Sequence, residues 1–339
     1  MKRICLISRK FDVESGRAEW IYAGTLKKEL SKRGFEVNTI SQATGEVSSS
    51  KKRKFLHDFF MIPLRILLLR LNGIKTFHFL NENQAIFNWL VWISGGKSIT
   101  TFHDFMGLNS EGVKKKYFNF VYWIASKSNI LICNSEQTKL ELKSKFKIKK
   151  DIKVIYPIIV ERLNLKKEVG GINKIGYLGS FDKRKRVEKI IQVAKHLPKD
   201  YVFELWGQGQ TKKEIEEQLL KNSLKNFKVM GHAPSKKIGK IYNSFNFFVF
   251  PTREEGLGLP IIEAMSYGNP VFILKDAKIP SELRSLCNVC KDPKEIAKKI
   301  KEFSSPKKYK KIVSINHKNS KRFSKEENIR RLIKTYNEN

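Results

Sequence analysis

Short apolar runs alternate with longer amphipathic segments along this chain of 339 residues, and the alternation starts again after a linker near residues 157–171. The short runs have the length and composition of buried strands, and the segments between them place apolar residues at helical spacing. Such alternation predicts a parallel sheet with helices on both faces. Two series predict an α/β protein with two doubly wound domains that face a central cleft.

The predicted boundaries follow from the same pattern. The first series has strands at 3–8, 35–40, 76–80, 98–103, 129–133 and 151–156, with a helix at 18–33. The second has strands at 174–178, 201–206, 227–231, 246–250 and 271–274, with a helix at 186–196. A last helix is predicted at 321–336, with Phe323, Ile329, Leu332 and Ile333 as its apolar residues. We therefore expect domains at 1–158 and 159–320, and a C-terminal segment, 321–339, that packs back on the first domain.

A glycine-containing loop follows one strand of the second series and leads directly into a short helix. Positions 251–271 read Pro-Thr-Arg-Glu-Glu-Gly-Leu-Gly-Leu-Pro-Ile-Ile-Glu-Ala-Met-Ser-Tyr-Gly-Asn-Pro-Val. Gly256 and Gly258 let backbone amides approach a ligand, while Pro260 suits the start of a helix and Gly268 its end. Because amides and helix dipole both favour negative charge, this junction predicts an anion site.

Two carboxylates, Glu255 and Glu263, flank this junction. An isolated glutamate is usually a solvated residue or one that favours a helix dipole. Here loop, helix start and carboxylates coincide at a strand end. A sugar nucleotide carries phosphates that need amide donors and hydroxyls that need carboxylate acceptors, so the combination favours such a ligand.

Residues 255–271 closely resemble the E-x7-E signature of the retaining glycosyltransferases of family 4, which have the GT-B fold of two Rossmann-like domains. The resemblance implies that Glu255 contacts donor-sugar hydroxyls and that Glu263 holds the ribose hydroxyls of the nucleotide. The loop that would lie near the donor sugar and phosphate consists of Gly256, Leu257, Gly258 and Leu259.

The resemblance extends through the rest of the second series. Residues 175–187 resemble the strand and loop that hold the donor diphosphate, with Lys185 at the position of the phosphate lysine. The family usually has arginine where this chain has Ser180, and either Arg184 or Arg186 can replace that contact. Two further strand ends resemble donor-binding turns of the family, and they contain Gly207 and Gly231.

The first series resembles the family less closely. Residues 15–19 occupy the place of a loop with two adjacent glycines near the donor phosphates; Gly16 is kept and Arg17 replaces the second glycine. His103 is the last residue of a predicted strand and resembles the histidine that lies beside the reacting sugar. A lone histidine is also commonly a satisfied structural residue, but the end of a strand favours function. By resemblance, His103, Lys185 and Glu255 are the candidate catalytic residues.

The excess of basic over acidic residues predicts an anionic partner. Lysine and arginine number 67 against 33 acidic residues, which gives a net charge of +34. Nucleic acid, anionic lipid and phosphorylated substrates all satisfy such an excess. No Asp-x-Asp pair is evident, and the pair Cys287 and Cys290 lacks partners for zinc. We therefore expect no cofactor and no metal, with cationic groups and amides stabilising the diphosphate of a UDP- or GDP-linked donor.

The segment 51–71 combines a basic cluster, 51–54, with apolar residues at helical spacing. The spaced residues are Phe55, Phe59, Ile62, Ile66 and Leu69. A buried core helix explains this stripe as well as contact with an anionic membrane does, although the basic cluster favours the membrane. Pro63 predicts a kink.

The N-terminal apolar run is too short for a signal peptide, and no run reaches the ~18 apolar residues that a membrane span needs. The sequence thus predicts a cytoplasmic protein, or one peripheral to the inner face of the membrane. The function implied is retaining transfer of a sugar to a lipid-linked or glycan acceptor in cell-envelope glycan synthesis. The alternatives are a sugar-nucleotide epimerase of GT-B architecture and, in another class, a basic nucleic-acid-binding protein; no nucleic-acid-binding motif is found, so no nucleic acid partner is expected.

Overall fold

The computed structural model describes residues 2–12, 18–42, 51–157 and 171–338, without the side chains of 18, 51–57, 106 and 235. The chain forms two compact units. The first consists of Met1–Ile158 and Lys325–Asn339, and the second of Ile159–Ser324. Within the described residues, each unit contains one six-stranded sheet whose strands are all parallel.

Strands and helices alternate along both units. The strands are β1 Lys2–Ser8, β2 Phe35–Ser41, β3 Thr76–Phe79, β4 Lys97–Phe102, β5 Ile130–Cys133, β6 Ile152–Val154, β7 Lys174–Leu178, β8 Val202–Trp206, β9 Phe227–Gly231, β10 Phe247–Val249, β11 Val271–Leu274 and β12 Asn288–Cys290. The helices are α1 Ala18–Lys32, α2 Lys51–Leu71, α3 Asn88–Ile93, α4 Gly112–Ser126, α5 Glu136–Phe146, α6 Glu188–Ala194, α7 Lys212–Lys221, α8 Ile238–Ser244, α9 Leu259–Ser266, α10 Ser281–Arg284, α11 Pro293–Phe303, α12 Pro306–Ser320 and α13 Lys325–Asn337.

The strand orders place a topological switch point in each sheet. The first sheet has the order β2-β1-β3-β4-β5-β6 and the second β12-β11-β10-β7-β8-β9. In the second sheet the chain proceeds from β7 to one edge and then returns to the other side of β7 through β10. The switch points therefore lie between β1 and β3 and between β7 and β10. In doubly wound sheets, ligands bind beyond the carboxyl ends of the strands at such points.

The central strands are apolar because parallel sheets are covered on both faces. All residues of β1 from Ile4 onward are buried, as is the whole of β11. The core of the first unit also receives the last helix: Ile329, Leu332 and Tyr336 of α13 pack in one cluster with residues of β1 and α1. The chain thus completes the core of the first unit with residues that follow the second.

The predicted α/β class with parallel sheets is confirmed, and each predicted strand is present within a few residues. β12 was not predicted, because its three residues, of which only Cys290 is buried, form no continuous apolar run. The last helix begins at Lys325, so the prediction that it includes Phe323 was wrong. Residues Lys321–Phe323 form a separate 3-10 turn, in which Phe323 is buried and belongs to the second unit.

Helix α2 is continuous through Pro63. Among the side chains of α2 that the structure describes, Ile62 and Ile66 of the predicted stripe are buried in the core of the first unit, and Leu69 packs partly against the same core. Phe55 lies among the residues whose side chains are not described. No helix in the described ranges of the chain has the length and hydropathy that crossing a bilayer requires.

Candidate active site

Two loops meet at the switch point of the second sheet, one after β7 and one after β10. The backbone amide of Arg253 donates a hydrogen bond to the carbonyl of Arg184 at 2.9 Å. Lys278 fixes the second loop from its other side, since its carbonyl accepts from the amide of Glu255 at 2.9 Å and its amide donates to the carbonyl of Arg253 at 2.7 Å. These contacts hold the two loops in one fixed arrangement before any side chain is considered.

Glu255 lies at the centre of this arrangement. Its Oε1 accepts hydrogen bonds from Lys185 Nζ at 2.5 Å, from Arg184 Nη1 at 3.0 Å and from Thr252 Oγ1 at 2.6 Å. Its Oε2 has no hydrogen bond to any described residue. One carboxylate oxygen is therefore fixed by the protein, while the other is available to accept from a ligand hydroxyl. The sequence predicted Lys185 and Glu255, and the structure brings them into direct contact.

Lys185 is a nearly buried cation, only 6% exposed. Its Nζ lies 4.8 Å from the centroid of the Phe250 ring, which adds a cation–π contact to the ion pair with Glu255. Burial lowers the pKa of the Lys185 amine, and the carboxylate of Glu255 acts in the opposite direction. A cation with so little water around it is well suited to a strongly charged ligand such as a diphosphate.

The two arginines beside Lys185 have different environments. Arg186 has all three guanidinium nitrogens bonded: Nε donates to the carbonyl of Pro251 at 2.8 Å, Nη2 to that of Thr252 at 3.0 Å, and both Nη atoms to Asp276 at 2.6 and 2.9 Å. Arg184 keeps 30% of its side chain exposed, against 9% for Arg186. The geometry therefore favours Arg184 as the ligand-facing arginine and Arg186 as the residue that holds the loop after β10.

Ser180 is also engaged inside the protein. Its hydroxyl donates to Asp182 Oδ2 at 2.6 Å, and its carbonyl accepts from the hydroxyl of Tyr177 at 2.7 Å. These bonds shape the loop after β7.

The glycine loop leads into α9 as the sequence indicated. Gly258 precedes the helix with a φ of +91°, a left-handed conformation that favours glycine, and Pro260 lies in the first turn. A Cβ on Gly258 would also approach Ile261 Cδ1 to 3.1 Å. The amides of residues 256–259 are thus near the positive end of the helix, as an anion requires. Gly268 follows the helix at a φ of +79°.

Glu263 lies just after the first turn of α9. Its Oε2 accepts a hydrogen bond from the Tyr242 hydroxyl at 2.7 Å. Burial raises the pKa of Glu263, and the bond from Tyr242 opposes this effect. Tyr242 therefore orients the carboxylate that the resemblance assigns to the ribose, a role that nothing in the sequence pattern indicated.

Two glycines lie at neighbouring strand ends, one required by packing and the other favoured by its backbone conformation. A Cβ on Gly207 would lie 1.9 Å from the carbonyl oxygen of Gly179, so only glycine fits there. Gly231 has a φ of +76°, and its carbonyl accepts from the amide of Gly207 at 2.7 Å. Gly207 and Gly231 thus allow the ends of β7, β8 and β9 to lie close together beside the loop after β7.

His103 follows β4 in the first unit. Its Nε2 lies 2.8 Å from the carbonyl of Leu80, which accepts only, so Nε2 carries the proton. In the neutral ring Nδ1 is then an acceptor. The backbone amide of His103 donates to Glu82 Oε2 at 3.1 Å. Gly16, the other predicted residue of this unit, lies outside the described residues, as does Arg17.

Glu82 is a functional candidate that the sequence did not single out. It follows β3 and is only 2% exposed. Burial, together with the nearby Asp104, raises its pKa to about 8. The available sequence signal was that acidic residues, Glu82 and Asp104, follow the neighbouring strands β3 and β4. The sequence does not show, however, that Glu82 is buried.

Metal-binding groups are not assembled among the described residues: no three His, Cys, Asp or Glu side chains there are placed to hold a metal ion. Cys287 and Cys290 are free thiols, and burial raises their pKa to about 12 and about 11 respectively. Burial thus favours the protonated form of both thiols near neutral pH.

Two family models match the chain in succession. The model described as Glycosyltransferase Family 4 matches residues 20–161, and that of glycosyl transferases group 1 matches residues 163–320. The chain belongs to the family 4 glycosyltransferases and is a glycosyltransferase of GT-B fold. This agrees with the resemblance that the E-x7-E segment carries.

Known proteins similar to this glycosyltransferase support the assignment. An uncharacterized glycosyltransferase of Methanocaldococcus jannaschii is 27% identical over 231 residues, which cover 67% of this chain and 64% of that protein. The O-antigen chain mannosyltransferase B of Escherichia coli is 28% identical over 126 residues, 35% of this chain and 33% of that protein. The matches thus span less than two thirds of these relatives' lengths.

The fold also matches a solved structure. The crystal structure of Anabaena HepE in complex with UDP and glucose aligns with a TM-score of 0.75, covering 99% of this chain and 100% of that one, at 14% identity.

Proposed function

We propose that this glycosyltransferase moves a sugar, with retention of anomeric configuration and without a metal ion, from a nucleotide sugar to a lipid-linked or glycan acceptor of cell-envelope glycan synthesis. The observation that carries the proposal is the contact of Lys185 and Arg184 with one oxygen of Glu255 at the switch point. Two cations beside a carboxylate would suit a ligand that carries both a diphosphate and sugar hydroxyls, which supports the proposal.

The donor would lie along the switch point of the second unit. Lys185, Arg184 and the amides of the glycine loop would bind the diphosphate, Oε2 of Glu255 would accept from a sugar hydroxyl, and Glu263 would accept from the ribose. The match to a structure crystallised with UDP and glucose supports a uridine nucleotide, although a GDP-linked donor presents the same diphosphate and ribose.

The reaction needs charge stabilisation on the leaving group. The bond between the anomeric carbon and the β-phosphate oxygen breaks, and the acceptor oxygen attacks from the same face and bonds to that carbon. The departing phosphate oxygen takes the acceptor's proton, so no side chain need act as base. Lys185 and the loop amides would stabilise the negative charge that develops on the diphosphate. His103 Nδ1 is an acceptor suited to a hydroxyl of the reacting sugar.

The proposal is tested by measuring nucleoside diphosphate release from a panel of UDP- and GDP-sugars, with and without lipid-linked and glycan acceptors. Thermal-shift measurements first identify the donors that bind. We expect release that depends on acceptor, with a product of retained configuration by NMR. Conversion of the donor to an epimer without any acceptor would contradict the proposal and favour the epimerase alternative.

Glu263 provides a test of the donor orientation. Glu263→Ala should weaken binding of the nucleoside diphosphate by about tenfold or more, because a buried hydrogen-bonded carboxylate is lost. Tyr242→Phe should produce a smaller loss, since it removes only the bond that orients Glu263. Calorimetry with the nucleoside diphosphate measures both, and unchanged affinity in Glu263→Ala would contradict the ribose assignment.

The place of action proposed is the cytoplasm or the inner face of the cytoplasmic membrane. The support is a net charge of +34, which attracts anionic lipid, together with a lipid-linked acceptor of the kind proposed above.

A further inference from the structure

Large apolar side chains are exposed on three neighbouring helices of the first unit. We call this the apolar face and define it by Phe59, Phe60 and Leu64 of α2, Trp89 of α3, and Phe120 and Trp123 of α4, all of them exposed. Single exposed apolar residues are ordinary, but a contiguous group marks a surface that another body covers.

The apolar face contains a cavity of about 740 Å³. Its lining includes Phe59, Phe87, Trp89, Trp92, Phe120 and Trp123, and also Lys127. The cavity is of the size that holds a small ligand or a hydrocarbon chain. Its aromatic lining offers few polar groups, which favours hydrocarbon over a sugar or a nucleotide.

The apolar face is separate from the side of α2 that forms the core. Ile62 and Ile66 are buried, whereas Leu64, Leu67 and Leu68 between and after them are exposed. A helix that is apolar on both faces is covered on both faces. The core accounts for one face of α2, and the other needs a second apolar partner.

Basic residues of α4, the helix that carries Phe120 and Trp123, and Lys127 directly after it indicate that partner. Three exposed lysines, Lys114, Lys115 and Lys116, lie in the first turn and a half of α4, and the exposed Lys127 directly follows this helix. Lys127 Nζ lies 5.4 Å from the ring centroid of Trp123. Asp58 is the single acidic residue in the sequences of α2, α3 and α4. Tryptophans beside lysines suit the boundary between hydrocarbon and anionic head groups.

We propose that the apolar face docks on an anionic phospholipid bilayer, with the aromatic cavity receiving hydrocarbon from the bilayer and the lysines contacting head groups. The inference deepens the proposed function, because it gives a site at which an enzyme for lipid-linked acceptors meets the membrane. Docking itself requires neither donor nor acceptor, so its failure is distinct from a failure of the proposed reaction.

The test is co-sedimentation of the full chain with sucrose-loaded vesicles, without nucleotide. One set contains phosphatidylglycerol with phosphatidylcholine and the other phosphatidylcholine alone. The wild type should bind the anionic vesicles, and binding should weaken as salt rises. Quenching of tryptophan fluorescence by lipids brominated on their acyl chains distinguishes insertion from adsorption by charge alone. We expect quenching, reduced when Trp89 and Trp123 are replaced by Phe.

Two triple variants assign the binding to this face. Phe60→Ser, Phe120→Ser and Trp123→Ser together should weaken partitioning by about tenfold or more. The matched control replaces three apolar residues exposed elsewhere, Leu140→Ser, Leu220→Ser and Ile315→Ser, and should bind as the wild type does.

Charge is tested in the same way. Lys114→Ala, Lys115→Ala and Lys116→Ala together should weaken binding by about tenfold to a hundredfold. The control replaces three exposed lysines of α12, Lys307, Lys310 and Lys311, by alanine. Equal losses in both lysine sets would mean diffuse attraction by net charge and overturn the proposal. The proposal would also be overturned if the wild type did not bind anionic vesicles. A dimer in sedimentation velocity that the apolar triple variant abolishes would overturn it as well.

Discussion

At the residue scale, the site is built around a single oxygen atom. Glu255 Oε1 accepts from two cations and one hydroxyl, which fixes the direction of Oε2 and keeps Lys185 and Arg184 within reach of one ligand. Thr252 is completely buried and acts as a positioning residue for Glu255. A diphosphate bound as proposed would compete with Glu255 Oε1 for both cations.

Lys185→Ala should lower kcat by about a hundredfold or more, because a buried cation is lost where negative charge develops in the transition state. Arg184→Ala should cost about tenfold, since its exposed guanidinium is screened by water. Steady-state kinetics of both variants measure the difference. Arg186→Ala should instead lower the melting temperature, because it removes the contacts that hold the loop after β10. Equal, mild losses of activity in all three would indicate a diffuse basic surface.

The buried carboxyl group of Glu82 leads to a prediction about how the stability of the protein depends on pH. Its pKa is raised from the ordinary value of 4.5 to about 8, so the folded protein retains a proton that the unfolded chain releases above pH 4.5. Its contribution to stability is therefore complete below pH 4.5 and is lost progressively as the pH rises to about 8. The slope for one such group is about 1.4 kcal/mol per pH unit.

Glu82→Gln keeps a side-chain oxygen that accepts from the His103 amide and removes the carboxyl group that titrates. We therefore expect the free energy of unfolding of the variant to exceed that of the wild type at pH 8 and the difference to shrink toward pH 5. Urea denaturation at several pH values measures it. Glu111→Gln, at an exposed position in the same unit, is the control and should follow the wild type throughout. If the free energies of unfolding of Glu82→Gln and the wild type changed with pH in parallel, Glu82 would not retain a proton in the folded protein.

At the scale of elements, the structure shows which features local sequence can predict. The strands were predicted because each central strand of a parallel sheet is a nearly continuous apolar run, and the loop with Gly258 was predicted because left-handed backbone and helix start have local signals. β12 has no such run. Tyr242 and Asp276 were missed because each acts on a residue from another element, and such contacts exist only after folding. Thr252 was missed because its bond to Glu255, three residues along in the same loop, depends on the folded conformation of that loop.

The junction of the glycine loop with α9 supports a prediction about metals. Amides near a helix start and the two cations after β7 can supply the positive charge that a divalent ion supplies in other transferases. We therefore expect activity to survive treatment with EDTA, within about twofold of the untreated enzyme as an order of magnitude. Assay of EDTA-treated, gel-filtered protein with and without magnesium or manganese measures this. Complete loss that either ion restores would contradict the prediction.

At the scale of the whole molecule, chain order and spatial order differ. Helix α13 follows the second unit in sequence but supplies core residues to the first, where the hydroxyl of Tyr336 lies 2.7 Å from Nδ1 of the buried His78. Burial lowers the pKa of His78 to about 3, so its ring is neutral at ordinary pH. The first unit therefore depends for its stability on the last residues of the chain.

Leu332→Ala should reduce the stability of the first unit by about 2–5 kcal/mol, because Leu332 is 1% exposed and its removal leaves a cavity beside β1 and α1. Hydrogen exchange by mass spectrometry should show faster exchange in peptides of β1 and β3, with the peptides of β7 and β10 unchanged. Lys334→Ala, on the exposed side of the same helix, should change stability by less than about 0.5 kcal/mol. If Leu332→Ala left exchange in β1 unchanged, α13 would not be an integral element of the first core. Equal acceleration in both sheets would show instead that the two units unfold together.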